Sequence, residues 1–266
     1  MSKDTVHQDD HDVGFAHDLP RMIGRRKMLG LMAGLGIGTA TAGPALALDQ
    51  CLPMPTETAG PFPANGTRTR GGLAYNALDQ AGVIRSDMRT SFGGMTSVAE
   101  GVPLEMDLEL VSAGADCAPL SGYAIYLWHC DAIGRYSMYD MDDNYLRAVG
   151  VAGADGKVSF TTVFPGCYPG RWPHVHFEVF ETPLAAVSGA KPVLTSQWAF
   201  TEAHSQDVYT ADDRYTQSAK NLSRLSMRRD SIFRDNNDAQ MELQTMQTSG
   251  SPEAGYTGQI RIPIKV

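Results

Sequence analysis

The chain has 266 residues, of which 42% are hydrophobic and 20% are charged. These proportions are those of a folded globular protein and exclude a disordered chain. The formal net charge of −8 argues against nucleic acid as a partner, because nucleic-acid-binding proteins present a basic surface. The 27 glycines and 15 prolines favour a loop-rich β protein over a helical one.

Residues 1–47 have the pattern of an export signal. Adjacent Arg25 and Arg26 precede a weakly apolar, Gly/Ala-rich run that ends in the A-x-A cleavage pattern at 45–47. Paired arginines before such a run resemble a twin-arginine signal. We therefore expect cleavage at the end of this run, a periplasmic or extracellular location, and no stable membrane anchoring after removal of the signal. The alternative is an N-terminal membrane anchor, which Pro44 and the short length of the run disfavour.

The next segment, residues 48–100, is rich in Gly, Pro, Thr and Ser and predicts an N-terminal arm with little regular structure. Beyond it, residues 101–266 predict one domain. In PLEMDLEL at 103–110, apolar and acidic residues alternate, as in a strand with one buried face. The run GYAIYLWHCD at 122–131 is apolar on both faces and predicts an inner strand.

Further strands follow, with few helices. Asp155-Gly156 lies between YLRAVGV and KVSFTTV and predicts a hairpin turn joining these two segments as paired strands. The remaining predicted elements are a strand at 194–200, helices within 203–228, and strands near 239–246 and 256–265. Short strands separated by turn signals predict an all-β fold. The expected architecture is an antiparallel β-sandwich with an irregular N-terminal arm and a few short helices.

The run GCYPGRWPHVHFEVF at 166–180 carries the clearest chemical signal. Side chains two residues apart in a strand lie on the same face, so His174 and His176 share one face. That face also carries Glu178 and Phe180, and the opposite face carries Val175, Phe177 and Val179. Histidines so spaced have Cα atoms about 6–7 Å apart, close enough for both rings to bind one metal ion. Tyr168 precedes them in a Gly/Pro-rich turn that can bring its phenol over the same face.

Three motifs together resemble a known family. They are W-H-x-x-x-x-G-x-Y at 128–136, PGCYPGRWPHVHF at 165–177 and ETAGPFP at 57–63. With them, the chain resembles the intradiol ring-cleavage dioxygenases, non-haem iron(III) enzymes that use O2 to split catechols between the two hydroxylated carbons. LTSQWAF and the later NLS…DSIF…D resemble the exported branch of that family. The resemblance covers nearly all of the chain after residue 47.

The resemblance implies a ligand set and a mechanism. The ligands of Fe(3+) would be Tyr136, Tyr168, His174 and His176. Tyr168 would also act in catalysis, as the ligand released when the substrate binds, and Arg171 would stabilise charge in the transition state. Gln197 and Phe62, together with Arg171, would line the substrate pocket. The implied substrates are a catechol-type diol and O2, and the product is of the muconate type.

The ligand types suit ferric iron. Fe(III) is a hard acid that prefers anionic oxygen ligands. Two tyrosinates and one hydroxide would neutralise its charge, which makes the site tolerable in a partly buried pocket. Because free tyrosine has a pKa of about 10, only a strong cation keeps both phenols ionised near neutral pH. The interval between Tyr168 and His174 is shorter than in the familiar catechol and protocatechuate enzymes, so their substrate specificities are not transferred.

For several side chains near these motifs, the sequence also allows a role other than the one that the resemblance implies. Tyr139 or Tyr145 could compete with Tyr136, and we expect His129 to be a hydrogen-bonded core histidine. His204 would be solvent-facing or near a helix start. Glu178 would either orient a histidine from the outer shell or face water.

The four cysteines Cys51, Cys117, Cys130 and Cys167 all follow the predicted signal, and an oxidising compartment would permit disulfides. We favour Cys130 with Cys167, since each lies near a segment of the candidate metal site. Cys51 would then pair with Cys117 and tie the arm to the domain. The alternative, in which the cysteines are buried free thiols, fits the sequence nearly as well as the disulfides do.

Two other functions remain compatible with the sequence. The first is a non-catalytic β-sandwich module, transthyretin-like or carbohydrate-binding, in which the same strands serve as scaffold. The second is a zinc or copper site built on H-x-H. A homo-oligomer is compatible with the sequence, which does not set the number of subunits.

Overall fold

The structure is a computed structural model that describes residues 51–70, 73–114 and 116–266. The predicted signal at 1–47 lies outside them. The strands are β1 Asn65–Arg70, β2 Leu73–Asn76, β3 Pro103–Ser112, β4 Ala124–Trp128, β5 Arg147–Val151, β6 Lys157–Val163, β7 His174–Phe180, β8 Leu194–Ala199, β9 Gln247–Ser251 and β10 Gly255–Ile264. The α-helices are α1 Pro183–Val187, α2 Glu202–Ala211, α3 Thr216–Leu222 and α4 Asp238–Leu243, with 3-10 turns at Asp213–Tyr215 and Met227–Arg229. The predicted mainly-β fold with a few short helices is confirmed.

Two four-stranded sheets have the orders β6-β3-β10-β9 and β5-β4-β7-β8, and β1 pairs with β2 in a separate hairpin. All pairs are antiparallel except β3 with β10, which run parallel. The alternation predicted in β3 is confirmed, with its four apolar side chains at 104, 106, 108 and 110 buried. Side chains of both four-stranded sheets belong to one hydrophobic cluster. No helix in the described ranges is long and apolar enough to cross a membrane.

The predicted hairpin around Asp155-Gly156 is wrong. β5 pairs with β4, whereas β6 pairs with β3 in the other sheet, so this turn connects the two sheets. The free edge of β5 is already used, because Val149 exchanges backbone hydrogen bonds with Val83 and Arg85 of the arm. The turn signal therefore identified a chain reversal correctly, but it carried no information on strand pairing.

The strand predicted near 239–246 is also wrong, because most of it is helix α4. Asn237 and Gln240 form a capping box, in which each side chain bonds the backbone N–H of the other residue. Such a box begins a helix by satisfying two otherwise unpaired donors. The predicted helices within 203–228 and the strand near 256–265 are confirmed by α2, α3 and β10.

The cysteine pairing is half correct. Cys51 and Cys117 form a disulfide across 66 residues of sequence. The pairing of Cys130 with Cys167 is wrong, because both are buried free thiols. Their Sγ atoms serve different carbonyls: Cys130 donates to Gly166 O at 3.3 Å and Cys167 donates to Ser218 O at 3.2 Å. Each thiol thus has its own hydrogen-bond acceptor.

Candidate metal centre

The two histidines of β7 lie at the centre of one sheet, because β7 is flanked by β4 and β8. Val175, Phe177 and Val179 turn to the hydrophobic core and are fully buried, as the alternation predicts. His174 and His176 therefore point to the opposite face. There the indole of Trp128, the register partner of His176 on β4, stacks on the His176 ring at 5.1 Å with a 5° interplanar angle.

Tyr136 reaches this face through a tight turn after β4. The Oδ1 atom of Asp131 accepts hydrogen bonds from the backbone N–H groups of Ile133 and Arg135, at 3.1 and 2.9 Å. Gly134 has a φ of +90°, and a Cβ added there would lie 3.0 Å from the backbone oxygen of Cys167. The turn therefore packs directly against the loop that carries Tyr168, which brings the two phenols to the same place.

The four predicted ligands come together at their donor atoms. Tyr136 Oη lies 3.3 Å from His174 Nε2 and 3.1 Å from His176 Nε2. Tyr168 Oη lies 3.3 Å from His174 Nε2, and the two Nε2 atoms are 2.9 Å apart. Ligand atoms that each lie about 2 Å from a shared ion are separated by about 3 Å. The spacing therefore fits a single metal ion held by all four side chains.

The protonation states also fit a cation. His174 Nδ1–H donates to the Trp172 carbonyl at 2.5 Å, which leaves the lone pair of Nε2 facing the cluster. Burial lowers the pKa of both histidines well below the ordinary value, so both rings are neutral and able to bind metal. Burial likewise raises the pKa of Tyr136 and Tyr168. Without a cation these phenols stay protonated, so ionisation of the oxygens requires a metal.

The cluster differs in type from common zinc sites. No group of three or more His, Cys, Asp and Glu residues in the described part of the chain could hold a metal. Two of the four donors here are phenol oxygens, which suit a hard, highly charged ion better than a soft one. The donor set thus favours ferric iron over zinc or copper.

Arg171 lies beside the phenol of Tyr168. Its Nη1 atom is 3.4 Å from Tyr168 Oη, and its Nη2 donates to Gln197 Oε1 at 2.6 Å. Gln197 is the register partner of His176 on β8, and its Nε2 donates to the Thr58 carbonyl at 2.8 Å. The structure therefore brings Arg171 and Gln197 next to the candidate ligands.

The ETAGPFP segment also packs against the cluster. Phe62 stacks on the ring of Tyr136, with centroids 4.7 Å apart. Gly60 has a φ of +72°, and a Cβ added there would lie 3.1 Å from His176 Cε1. Glycine is thus needed both for the backbone conformation and for the close approach.

The competing residues have other partners. Tyr139 Oη accepts from Ala64 N at 2.9 Å, and Tyr145 Oη donates to Met141 Sδ at 2.8 Å. Glu178 is buried and accepts from Asn65 Nδ2 at 3.0 and 3.1 Å, so it does not face water as one alternative held.

The two remaining histidines lie as predicted. His129 is buried, with Nδ1 2.8 Å from Cys130 O and Nε2 2.8 Å from Thr162 Oγ1. His204 is the third residue of α2, and its Nδ1 lies 2.6 Å from Thr248 Oγ1.

Two supporting residues were not recognised in the sequence. Arg147 is fully buried, and its guanidinium donates to Ser137 O at 2.8 Å and to Pro63 O at 3.1 Å. It thereby ties the loop after Tyr136 to the loop after Phe62. The second is Asp230, whose Oδ2 accepts from Arg171 Nε at 2.9 Å. Arg147 carries no sequence signal that distinguishes it from a surface charge. Asp230 is the first residue of the DSIF run that contributed to the family resemblance, but no role was assigned to it from the sequence.

Comparisons with known proteins identify the fold. No family model matches the chain, and no curated protein matches its sequence. Among solved structures, the intradiol ring-cleavage dioxygenase from Tetranychus urticae has a TM-score of 0.59 at 23% identity, over 81% of this chain and 95% of that one. A second dioxygenase structure has the same TM-score and coverage at 24% identity. The dioxygenase domain of a carbohydrate-binding fusion protein from Streptomyces sp. SirexAA-E has a TM-score of 0.47 at 25% identity, over 80% of this chain and 99% of that one.

The first two likenesses span nearly the whole of the matched structures. The family resemblance predicted from the sequence motifs is thus confirmed at the level of the fold. The chain has the fold of the intradiol ring-cleavage dioxygenases.

Proposed function

We propose that this protein is an intradiol dioxygenase that inserts both atoms of O2 into a catechol-type diol. The ring would open between the two hydroxylated carbons and give a muconate-type product. The proposed Fe(3+) ligands are Tyr136, Tyr168, His174 and His176. The observation that carries the proposal is the convergence of two phenol oxygens and two imidazole nitrogens at separations of 2.9–3.3 Å. The shared fold supports it.

A ferric ion held by these four side chains would supply a Lewis acid that activates the bound diol towards O2. The chain's own residues supply proton transfer and electrostatics. Tyr168 is the half-buried phenol of the pair, and its Oη is placed to take a proton from a substrate hydroxyl. Tyr136 is almost fully buried, behind the stacked ring of Phe62, and is the phenol suited to remain in place.

Arg171 and Gln197 would act on the substrate. The guanidinium of Arg171 carries a positive charge, so it can stabilise negative charge that develops on the ring. Its Nη1 faces the same Oη atom that would receive the substrate proton. Gln197 holds the guanidinium in this orientation. Phe62 offers an aromatic face beside Tyr136 for the substrate ring.

The proposal includes export and architecture. Residues 1–47 would direct twin-arginine export to the periplasm or beyond the cell and then be removed, leaving residues 48–100 as the arm and 101–266 as the catalytic domain. The Cys51–Cys117 disulfide supports an oxidising compartment. The two four-stranded sheets would pack as a sandwich, which their shared hydrophobic cluster supports.

Oxygen uptake by iron-loaded protein against a panel of substituted catechols, with product identification, tests the activity. The expected products are muconates, formed with one O2 per ring. His174→Ala should abolish uptake, while His204→Ala, a change at a histidine outside the cluster, should preserve it. An extradiol product would contradict the ferric mechanism. Retained ligand binding without any oxygen uptake by the wild type would instead indicate a binding module.

A further inference from the structure

We propose that Asp230 is a positioning residue for ring cleavage, because its buried carboxylate holds the guanidinium of Arg171 at the phenol of Tyr168. This inference rests on the proposed function. It assigns a role to the DSIF segment, in which Asp230 bonds Arg171 and Trp172. Asp230 lies 59 residues after Arg171 in the sequence, directly after the 3-10 turn Met227–Arg229.

The carboxylate of Asp230 is completely buried, and each of its oxygens accepts two hydrogen bonds. Its Oδ2 accepts hydrogen bonds from Arg171 Nε at 2.9 Å and from Trp172 N at 2.7 Å. Its Oδ1 accepts from Ile232 N at 2.8 Å and Phe233 N at 3.3 Å. Because a buried carboxylate with this many donors has no freedom to turn, its geometry is fixed by them. Asp230 is therefore a rigid acceptor, ion-paired with Arg171 from behind the guanidinium.

Two nitrogens of the Arg171 guanidinium have short hydrogen bonds to the protein, and the third faces the candidate site. Its Nε is bound by Asp230 and its Nη2 by Gln197. Since the guanidinium is planar, these two contacts fix the direction of the remaining nitrogen. That nitrogen, Nη1, lies at the longer distance of 3.4 Å from Tyr168 Oη. Only 11% of the Arg171 side chain is exposed, so the group is held in place before a substrate arrives.

Asp230 and Gln197 are supported by the same part of the chain. Gln244, directly after α4, donates from Nε2 to the backbone carbonyl of Gln197 at 2.9 Å. The Oε1 atom of Gln244 in turn accepts a hydrogen bond from Asn236 Nδ2. The segment 226–246 thus supports both groups that hold Arg171. Precise placement of a charged group in this way is worth up to about 100-fold in rate.

A double-mutant cycle tests this role. Asp230→Asn keeps an acceptor for Ile232 and Phe233 but removes the negative charge behind Arg171. It should lower kcat by roughly 10–100-fold with little change in KM and with iron content preserved. In an Arg171→Gln background the same change should cost almost nothing further. With Arg171 present, Asp230→Asn should also shift the tyrosinate charge-transfer band, because Arg171 Nη1 faces Tyr168 Oη.

Two further variants guard against a misfolded protein. Asp230→Glu retains the charge on a longer side chain and should fall between wild type and Asp230→Asn in kcat. In metal-free protein, the shifts in urea midpoint caused by Asp230→Asn and Arg171→Gln should be strongly non-additive, a readout independent of activity.

The inference is overturned if Asp230→Asn lowers kcat by the same factor with and without Arg171, or leaves both kcat and the band unchanged. An active, iron-containing wild type with an additive cycle would refute the role of Asp230 alone. A wild type with no iron and no ring cleavage would refute the proposed function, and the positioning role with it.

Discussion

The Nε2 atoms of His174 and His176 lie 2.9 Å apart, with their ring planes at 75°. The Nδ1–H of His174 is committed to the Trp172 carbonyl, so its Nε2 presents a lone pair to its neighbour. His176 Nδ1 is buried and has no hydrogen-bond partner in the described ranges. Two neutral imidazoles that face each other in this way, with two phenol oxygens beside them, form a site that a cation would stabilise.

Replacement of His176 by alanine should weaken iron binding by more than about 100-fold, since loss of even an outer-shell partner costs about 10–100-fold. Iron quantified in purified protein, followed by chelator competition, measures the change. His204→Ala is the matched control and should retain iron. Equal iron retention by both variants would show that His176 is not a ligand.

The visible absorption of the iron-containing protein should depend on Tyr136 and Tyr168 but not on the neighbouring Tyr139. Tyr136→Phe and Tyr168→Phe should each remove part of the visible absorption per bound iron, because each deletes one tyrosinate. Tyr139→Phe should leave the band unchanged, since Tyr139 Oη is bonded to Ala64 N. Optical spectra normalised to iron content provide the measurement. A loss of colour in Tyr139→Phe as large as in Tyr136→Phe would reassign the ligand.

The disulfide should contribute strongly to stability. Closing a loop of 66 residues is worth about 4 kcal/mol on the chain-entropy model, so Cys51→Ala with Cys117→Ala should lower the free energy of unfolding by about this amount. Urea unfolding measures it. Thiol titration of denatured, unreduced wild type should find two thiols per chain, and finding none would restore the Cys130–Cys167 pairing.

Acid should destabilise the fold through His129. Burial lowers its pKa to about 4, below the ordinary value of about 6.5. The unfolded chain therefore binds the proton more readily between these values. The contribution of neutral His129 to the free energy of unfolding is therefore fully present above pH 6.5. It is lost as the pH falls towards 4, which lowers the free energy of unfolding by about 3 kcal/mol.

The comparison of His129→Gln with wild type isolates this contribution. Gln can still bond Cys130 O and Thr162 Oγ1 but does not titrate. Urea unfolding of metal-free protein at pH 7 and pH 4.5 should show a smaller loss of stability in the variant. Parallel losses in both proteins would assign the acid sensitivity to other groups, such as His174 and His176.

Part of the candidate site was predictable from a local pattern, because period-two alternation in β7 set the shared face of His174 and His176. Tyr136 was predicted only through the family resemblance of the W-H-x-x-x-x-G-x-Y motif, since its own residues left Tyr139 and Tyr145 as alternatives. The errors have a different origin. The partner strand of β5 and the bonding of the Cys130 thiol depend on contacts between segments distant in sequence, which a local pattern does not encode. The same holds for Asp230, whose role is defined only by the position of Arg171.

The iron content and visible spectrum of purified wild-type protein from an iron-replete host test the central claim most directly. The account predicts about one iron per chain and a tyrosinate-to-iron charge-transfer band that gives the protein its colour. A colourless protein without iron, or one that holds zinc or copper in equal amount to the chain, would contradict it.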